Sequence, residues 1–303
     1  MFNDNQIFAA PLAGITDKPF RKLVREFAPD VSLVTEMISC HSLVAGHKNC
    51  IRNFDRYDDE GNIGAQIFGA EPELMGEAAK ILQDYGAKWI DINMGCPVPK
   101  VATRAGAGAY LMKDHVLAGR IIEQCVKSVQ IPVSIKTRLG WDETHQDWQD
   151  LVRIAALSGA SFVAVHGRTR AQGYSGNAVL PPKPVLPLPI IANGDIKDKV
   201  GIEHVQNLGY DGAMIGRAML GQPWIFGQIC GDCDKSNNVG EIVLKHLDLM
   251  LGYYGKAAIP MFRKHAAWYS AGMPNSAQFR IRVNQISEES ELVKVIKDFW
   301  SVC

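Results

Sequence analysis

The sequence predicts an α/β fold, a (β/α)8 TIM barrel followed by a small all-α helical domain, on two observations. Eight short apolar runs rich in β-branched residues alternate with stretches of helical periodicity, which is typical of a parallel sheet buried on both faces. These units occupy about 230 residues, the size of such a barrel. A doubly wound sheet fits less well, because it usually has fewer strands and a glycine-rich turn after the first.

Most of the predicted strands end in a glycine-containing or polar turn, and helical patterns such as 72–85 and 116–129 lie between them. The predicted strands span 7–14, 31–37, 64–69, 89–95, 132–140, 162–167, 190–194 and 213–216. One connection differs, because five prolines fall between residues 173 and 189 and leave little room for a helix. We therefore predict an extended loop there.

The last fifth of the chain lacks strand signals. The polar, glycine-bounded segment 234–240 has the composition of a linker, and residues 241–303 have helical periodicity throughout. We therefore expect a barrel domain over residues 1–235 and a helical domain over 241–303. Two domains are also what ~150 residues per domain predicts for a chain of 303 residues.

Composition excludes several classes of protein. With 47% hydrophobic and 21% charged residues, the chain is not disordered, collagen-like or a coiled coil. It has no signal-peptide pattern and no run of ~18 apolar residues, so we expect a cytoplasmic protein that does not bind membranes. Seven scattered cysteines do not form a disulfide framework. The pair Cys230 and Cys233 lacks companion ligands, so no metal site is predicted.

Candidate site residues follow several predicted strands, because the carboxyl ends of barrel strands face one cavity. Lys136 lies within an apolar run, either in a structural ion pair or as a cation that stabilises charge developing in a ligand. His166 is either a core histidine or a donor to the same ligand. Gly194 and Gly216 are either turn residues or a backbone phosphate site.

Cys96 is the candidate for proton transfer. It stands between Gly95 and Pro97 just past the fourth predicted strand. An unperturbed thiol has a pKa of ~8.5, so it is mostly protonated at neutral pH and can donate a proton. The alternative is a small buried residue without a chemical role.

Seven motifs, taken together, resemble those of the dihydrouridine synthases, flavin enzymes that reduce uridine in transfer RNA. The resemblance covers nearly the whole chain and is greatest to the bacterial B-type subgroup, through RKHAAWY at 263–269. The motifs are APLAGITDKPFR from Ala10, QIFG from Gln66, DINMGCPVPK from Asp91, SIKTRLGW from Ser134, VHGRTR from Val165, IANGDI from Ile191 and MIGRAMLGQPWIF from Met214.

The resemblance implies FMN as the cofactor and NADPH as the reductant, although no dinucleotide fingerprint is present. It also implies that Lys136 stabilises the reduced flavin, while Arg217 adds a charged contact to the phosphate. The implied FMN-binding residues are Pro11, Leu12, Ala13, Gln66, Lys136, His166, Asn193, Gly194, Asp195, Gly216 and Arg217.

The chemistry that the resemblance implies has two parts. Reduced flavin passes a hydride to carbon 6 of the uracil, and Cys96 gives a proton to carbon 5 from the opposite face. Asn93 and Arg168 would grip the uracil or its ribose. The position of the uridine in tRNA, the choice between NADPH and NADH and the oligomeric state stay open, with a monomer as the default expectation.

A tRNA substrate requires a basic surface, because a base must be extruded to reach a barrel cavity. The net charge is zero, yet the acid-free stretches 92–113, 151–194 and 255–285 carry three, four and five basic residues, which predicts one basic face with salt-sensitive binding. The third stretch supplies the candidate tRNA contacts Lys256, Arg263, Lys264, Arg280 and Arg282 beside Phe262, Trp268, Tyr269 and Phe279. The alternative there is a solvated helix face with core aromatics.

Two other functions stay open at this point. The chain could be a flavin oxidoreductase that acts on a free pyrimidine or another small molecule, with a merely structural helical domain. It could also be a catalytically inactive RNA-binding protein. The basic, acid-free helices disfavour the first alternative, and the joint presence of Cys96, Lys136 and His166 disfavours the second.

Overall fold

A computed structural model describes residues 6–103, 105–231 and 238–301. The chain forms two compact units. The barrel unit comprises Met1–Lys18 and Asp30–Gly216, and the helical unit comprises Pro19–Pro29 and Arg217–Cys303. The predicted functional division into 1–235 and 241–303 stays a prediction.

Eight parallel strands within the described residues close into a barrel, which confirms the predicted (β/α)8 architecture. The barrel strands are β1 Gln6–Ala9, β2 Ser32–Val34, β3 Ile63–Phe68, β4 Trp89–Asn93, β5 Val133–Arg138, β6 Phe162–His166, β7 Ile190–Asn193 and β8 Gly212–Ile215. β1 pairs with β2 and with β8, and β2 also pairs with β3, which closes the ring. The two-residue strand Ile38–Ser39 adds to β3 beyond the end of β2.

The barrel interior changes from apolar to polar along the strands. Phe8, Trp89 and Phe162 pack together inside the barrel, with ring centroids 6.2 Å apart for Phe8 and Trp89 and 5.4 Å apart for Phe8 and Phe162. Because side chains alternate along a strand, Asp91 and Asn93 lie on the same face of β4 as Trp89. The strand period therefore directs polar side chains into the carboxyl end of the barrel.

Helices follow most of the strands, and two of them confirm the predicted helices 72–85 and 116–129. The helix Pro72–Asp84 begins with a proline, which is well suited to a first helical turn. Asp114 caps the helix His115–Ser128 by accepting from the Leu117 amide at 2.9 Å. The helices of this unit are α2 Cys40–Val44, α3 Lys48–Arg52, α4 Pro72–Asp84, α5 Pro99–Ala102, α6 His115–Ser128, α7 Trp148–Leu157 and α8 Lys199–Asn207, with α1 Lys18–Phe27 starting at its boundary.

The connection from β6 to β7, every residue of which is described, contains no helix between residues 173 and 189, as the prolines predict. Side chains from the β7–β8 connection hold its second half. Tyr210 Oη donates to the Pro181 carbonyl at 2.9 Å, and Lys183 Nζ forms an ion pair with Asp211 at 2.6 Å. The loop is thus ordered without helical hydrogen bonds.

The helical unit packs its own apolar core around Val243, Leu247, Phe262 and Ile296. Its helices are the greater part of α1, then α9 Ile225–Cys230, α10 Val239–Tyr254, α11 Ala258–Tyr269, α12 Ser276–Gln285 and α13 Glu289–Ser301. Within the described part of the chain, no helix is both long and apolar enough to cross a membrane.

The predicted linker 234–240 is wrong at its carboxyl end. α10 already begins at Val239, because the Asn238 side chain caps it by accepting from the Glu241 amide at 3.2 Å. Residues 234–237 lie outside the described residues, as does Cys233 of the predicted Cys230–Cys233 pair. Cys230, the last residue of α9, is exposed.

Candidate active site

A row of polar side chains crosses four neighbouring strands at the carboxyl end of the barrel. The strand register sets Asn93 beside Lys136, and it aligns Arg138, His166 and Asn193 on β5, β6 and β7. Lys136 Nζ donates to Asn193 Oδ1 at 2.9 Å and so links β5 to β7 across β6. The structure therefore brings together predicted site residues that are far apart in sequence.

The Lys136 side chain carries an ammonium group with a lowered pKa. Burial and the nearby Arg138 charge lower the pKa of its ammonium group from 10.5 to about 8, while Asp91 and Cys96 act to raise it. Its hydrogen bond goes to an amide oxygen rather than to a carboxylate. The ammonium group thus stays charged at neutral pH, and no anion among the described residues is hydrogen-bonded to it.

The loop that carries Cys96 is held from two sides. Asn93 Oδ1 accepts from the backbone N–H groups of Gly95 at 3.1 Å and of Cys96 at 2.9 Å. Arg138 Nε donates to the Gly95 carbonyl at 2.7 Å. Gly108 lies close behind in the left-handed region, where an added Cβ would come within 3.2 Å of Cys96 Cβ. The half-buried thiol therefore belongs to a fixed backbone.

Beneath Asn93, a buried carboxylate organises the barrel interior. Asp91 accepts from Gln66 Nε2 and from Ser134 Oγ, each at 2.6 Å, and Gln66 Oε1 in turn accepts from Asn93 Nδ2 at 2.8 Å. Burial raises the pKa of Asp91 from 3.8 to about 6, although both hydrogen bonds and the Lys136 charge favour the ionised form. Gln66, predicted to contact flavin, uses Nε2 as a donor and Oε1 as an acceptor within this network.

Two arginines fasten the first half of the loop after β6. Arg138 Nη1 donates to the carbonyls of Thr169 at 3.0 Å and of Gly173 at 2.8 Å. Arg168 Nη2 donates to the Gly176 carbonyl at 2.6 Å and forms an ion pair with Asp195 at 2.7 Å. The guanidinium group of Arg168 is therefore bonded within this loop region, and the residue is only 1% exposed. The predicted substrate contact of Arg168 stays a prediction.

Tyr174 lies on this fastened loop. It is 56% exposed, and its ring centroid lies 6.4 Å from that of His166 and 5.5 Å from the Arg138 guanidinium carbon. Arg168 Nη1 lies 3.2 Å from His166 Nε2. An aromatic face, an imidazole and two guanidinium groups therefore meet beside the Cys96 loop, to which Arg138 is bonded.

The predicted phosphate residues stand at neighbouring strand ends. Gly194 directly follows β7 with φ +125°, and an added Cβ would lie 2.5 Å from Ala178 Cβ, so only glycine fits there. Asp195 has φ +52°, and its carboxylate accepts from the Ala178 amide at 2.8 Å. Gly216 directly follows β8 in the barrel unit, whereas Arg217 is exposed and belongs to the helical unit.

The predicted ring-binding segment from Pro11 to Ala13 follows β1 and makes a tight turn. Leu12 accepts at its carbonyl from the Ile15 and Thr16 amides at 3.0 Å, and its own N–H donates to Thr16 Oγ1 at 3.1 Å. Ala13 is exposed at the tip of the turn. The segment therefore lies at the carboxyl end of the barrel with the Leu12 N–H and carbonyl bonded inside the turn, and its predicted flavin contact stays a prediction.

The basic segment 255–285 forms a solvated surface over core aromatics. Phe262, Tyr269 and Phe279 are buried in the core of the helical unit, so the core alternative is confirmed for these three rings. Trp268 is partly exposed. Among the predicted tRNA contacts, Lys256 and Arg282 are exposed, and the partly buried set comprises Arg263, Lys264 and Arg280.

Sequence reasoning did not single out Asp91, Ser134 or the bonding role of Arg138. A signal for them was present, because period-two alternation places Asp91 on the same face as Asn93, and Ser134 and Arg138 on the same face as Lys136. A polar residue two positions from a candidate site residue in a buried strand is therefore a candidate for its support.

Comparison with known proteins places the chain among relatives of similar length. The dihydrouridine synthase (Dus) family model matches residues 8–301. A probable tRNA-dihydrouridine synthase of Rickettsia prowazekii is 40% identical over 98% of this chain and 94% of its own length. tRNA-dihydrouridine synthase B of Xanthomonas campestris is 37% identical over 97% of this chain and 92% of its own length. tRNA-dihydrouridine synthase B of Pseudomonas syringae is 36% identical over 98% of this chain and 92% of its own length.

Proposed function

The chain belongs to the dihydrouridine synthase family, as its motifs predict, and from this premise we propose that it reduces a uridine of tRNA to 5,6-dihydrouridine. The observation that carries the proposal is the joint placement of a fixed Cys96 loop and the Lys136 cation at one end of the barrel. A hydrogen-bonded backbone under a half-buried thiol suits proton delivery, which requires a defined position.

We propose FMN as the flavin, and the donor set at the barrel end fits it. The Lys136 ammonium suits the polar edge of a flavin ring, and Gly194 and Gly216 end neighbouring strands where backbone amides commonly hold a phosphate. Bound FMN, recharged by NADPH, would supply the hydride to carbon 6 of the uracil. The residues proposed to hold FMN are Pro11, Leu12, Ala13, Gln66, Lys136, His166, Asn193, Gly194, Asp195, Gly216 and Arg217.

The chain's own residues would do the rest of the chemistry. Lys136 stabilises negative charge that develops at the flavin edge, since its pKa of about 8 keeps it cationic at neutral pH. Cys96 Sγ holds the proton that goes to carbon 5 of the uracil. Asn93, which already fixes the Cys96 backbone, and Arg168 would orient the uracil or its ribose.

We propose that residues 241–303 bind tRNA through phosphate contacts rather than through base stacking by the buried rings. Exposed Lys256 and Arg282 are suited to phosphates, because cations on a solvated surface bind them through counterion release. Arg263, Lys264 and Arg280 complete the proposed set. Such contacts would offset the few kcal/mol that extrusion of the base requires.

A single preparation tests the proposal. Purified protein is expected to be yellow, with a flavin spectrum that NADPH bleaches, and to form dihydrouridine in tRNA from a strain that lacks this modification. Mapping the modified position identifies the uridine. A protein that takes up no FMN would contradict the cofactor proposal, and activity on free uracil but not on tRNA would contradict the substrate proposal.

A further inference from the structure

A chain of buried side chains leads from Asp91 to the backbone of Cys96. Gln66 Nε2 donates to Asp91 Oδ2 at 2.6 Å, Asn93 Nδ2 donates to Gln66 Oε1 at 2.8 Å, and the Cys96 N–H donates to Asn93 Oδ1 at 2.9 Å. The side-chain amides of Gln66 and Asn93 each use the nitrogen in one of these hydrogen bonds and the oxygen in the next. We call this the Asp91 relay.

The direction of the Asp91 relay is fixed at both ends. A carboxylate can only accept, so the amide nitrogen of Gln66 must face Asp91. A backbone N–H can only donate, so the amide oxygen of Asn93 must face Cys96. The middle contact then joins Asn93 Nδ2 to Gln66 Oε1 without ambiguity. Reversal of either amide would set donor against donor or acceptor against acceptor.

Burial makes each link of the relay expensive to lose. Asp91 and Gln66 are each 1% exposed, and Asn93 is 9% exposed, so water cannot readily replace a missing partner. Asp91 also has a second donor, the Ser134 hydroxyl at 2.6 Å, which plays no part in the relay. That second contact offers a matched control on the same carboxylate.

We propose that Asp91 is a positioning residue that acts through Gln66 and Asn93 to hold the Cys96 backbone. Its acceptor oxygen sets the orientation of the Gln66 amide, whose oxygen then holds Asn93 Nδ2 and supports the orientation in which Asn93 Oδ1 accepts from the Cys96 N–H. The consequence for proton transfer rests on the proposed function, because it requires the Cys96 thiol to be the proton donor. The effect on the loop itself does not.

Three variants separate positioning from simple support. Asp91→Ala removes the terminal acceptor of the relay. Ser134→Ala removes the other hydrogen bond to the same carboxylate and leaves the relay intact. Asp91→Asn is the conservative rescue, because its amide oxygen can still accept from Gln66 while the Ser134 hydroxyl turns round to accept from the new amide nitrogen.

The first measurement is hydrogen exchange of the Gly95 and Cys96 amides in the full-length protein. We expect exchange to be at least about tenfold faster in Asp91→Ala and to change by less than about threefold in Ser134→Ala and Asp91→Asn. Gln66→Met cuts the relay one link further on while the carboxylate stays in place. It is expected to reproduce the faster exchange, which guards against an Asp91→Ala variant that fails to fold.

The second measurement is dihydrouridine formation under saturating tRNA. We expect kcat to fall about 10- to 100-fold in Asp91→Ala with little change in KM, because a displaced proton donor affects the chemical step. Asp91→Asn should retain most of the activity. Equal losses in Asp91→Ala and Ser134→Ala, or an Asp91→Asn variant as impaired as Asp91→Ala, would overturn the proposal. If the wild-type protein forms no dihydrouridine but Asp91→Ala still shows faster exchange, the proposed function is refuted and the relay stands.

Discussion

The barrel unit and the helical unit both bury polar side chains, but these side chains differ in how fully they are hydrogen-bonded. In the barrel, Asp91, Arg138 and Arg168 are bonded to amides or loop carbonyls that shape the candidate site. In the helical unit, His246 and His265 are buried with ring centroids 4.6 Å apart, and neither Nε2 atom has a hydrogen-bond partner among the described residues. Buried polar groups therefore shape the candidate site in the barrel, whereas in the helical unit they reduce stability.

The largest expected effect is at Cys96. Cys96→Ala should lower dihydrouridine formation by about 10²- to 10⁴-fold, because a positioned general acid contributes that much, while the melting temperature stays close to that of the wild type. The rate on tRNA and a thermal melt check both parts. Cys50→Ala is the matched control, since Cys50 is also a free, half-buried thiol in the barrel unit. A Cys96→Ala enzyme as active as Cys50→Ala would show that the proton comes from elsewhere.

The next effect concerns the charge of Lys136. Its pKa of about 8 lies below the ordinary 10.5, so the cation is present at neutral pH and is lost as the pH rises through about 8. We expect the rate of dihydrouridine formation to fall as the pH rises through about 8. We expect Lys136→Met to lower that rate by about 10²- to 10³-fold at neutral pH. A pH–rate profile checks the first expectation. Activity that stays level well above pH 8 would exclude a need for the charged lysine.

The third effect concerns the stability of the helical unit in acid. Burial lowers the pKa of His246 from 6.5 to about 3 and that of His265 well below 6.5, so both stay neutral when folded. In the unfolded chain each histidine takes up a proton below its ordinary pKa of ~6.5, so the free energy of unfolding decreases as the pH falls below that value. The folded pKa of about 3 for His246 corresponds to a loss of about 2 kcal/mol at pH 5, and His265 shifts stability in the same direction.

Thermal melts of two variants at neutral and mildly acidic pH check this expectation. His265→Phe should reduce the acid-induced fall in melting temperature, because the ring that resists protonation is gone. His204→Gln, at an exposed position, should not alter it. Equal falls in the wild type and in His265→Phe would place the acid sensitivity outside this pair.

The smallest effect concerns the surface of the helical unit. Arg282 is exposed, and Arg282→Gln should lower the slope of log affinity for tRNA against log salt concentration by about 1, in keeping with one lost phosphate contact. Filter binding over a range of salt concentrations gives this slope. The comparison variant Lys294→Gln, at an exposed lysine of α13 outside the acid-free stretch, should leave the slope unchanged. If Arg282→Gln and Lys294→Gln give the same slope of log affinity against log salt concentration, Arg282 does not contact tRNA.

The sequence predicts the barrel well, because its signals are local. Strand alternation and the polar residues that follow each strand are visible within a few residues, which is why Lys136, Asn193 and Cys96 could be placed at one end. The Asp91 relay depends on the pairing of Asp91 with Gln66, 25 residues away, which no local pattern encodes. Its existence therefore required the structure.

The helical segment shows the opposite difficulty, in which a correct observation has two interpretations. Residues 255–285 are basic, but charge does not reveal which side chains face inward. The spacing of Phe262, Ala266 and Tyr269 at four and three residues is a buried helix face, and this pattern favours core aromatics over stacking rings. Likewise, Asn238 followed by Glu241 is a helix-start signal that could have placed α10 correctly.

The proline-rich loop also provides a point at which a label can be attached. Val185 is 100% exposed, between Lys183, which is tied to Asp211, and the start of β7. A segment without helical hydrogen bonds has no ladder for an insertion to interrupt. A fluorophore or an affinity tag attached at Val185 would therefore leave the strand register undisturbed, and would give the molecule a tether for single-molecule work on its encounters with RNA.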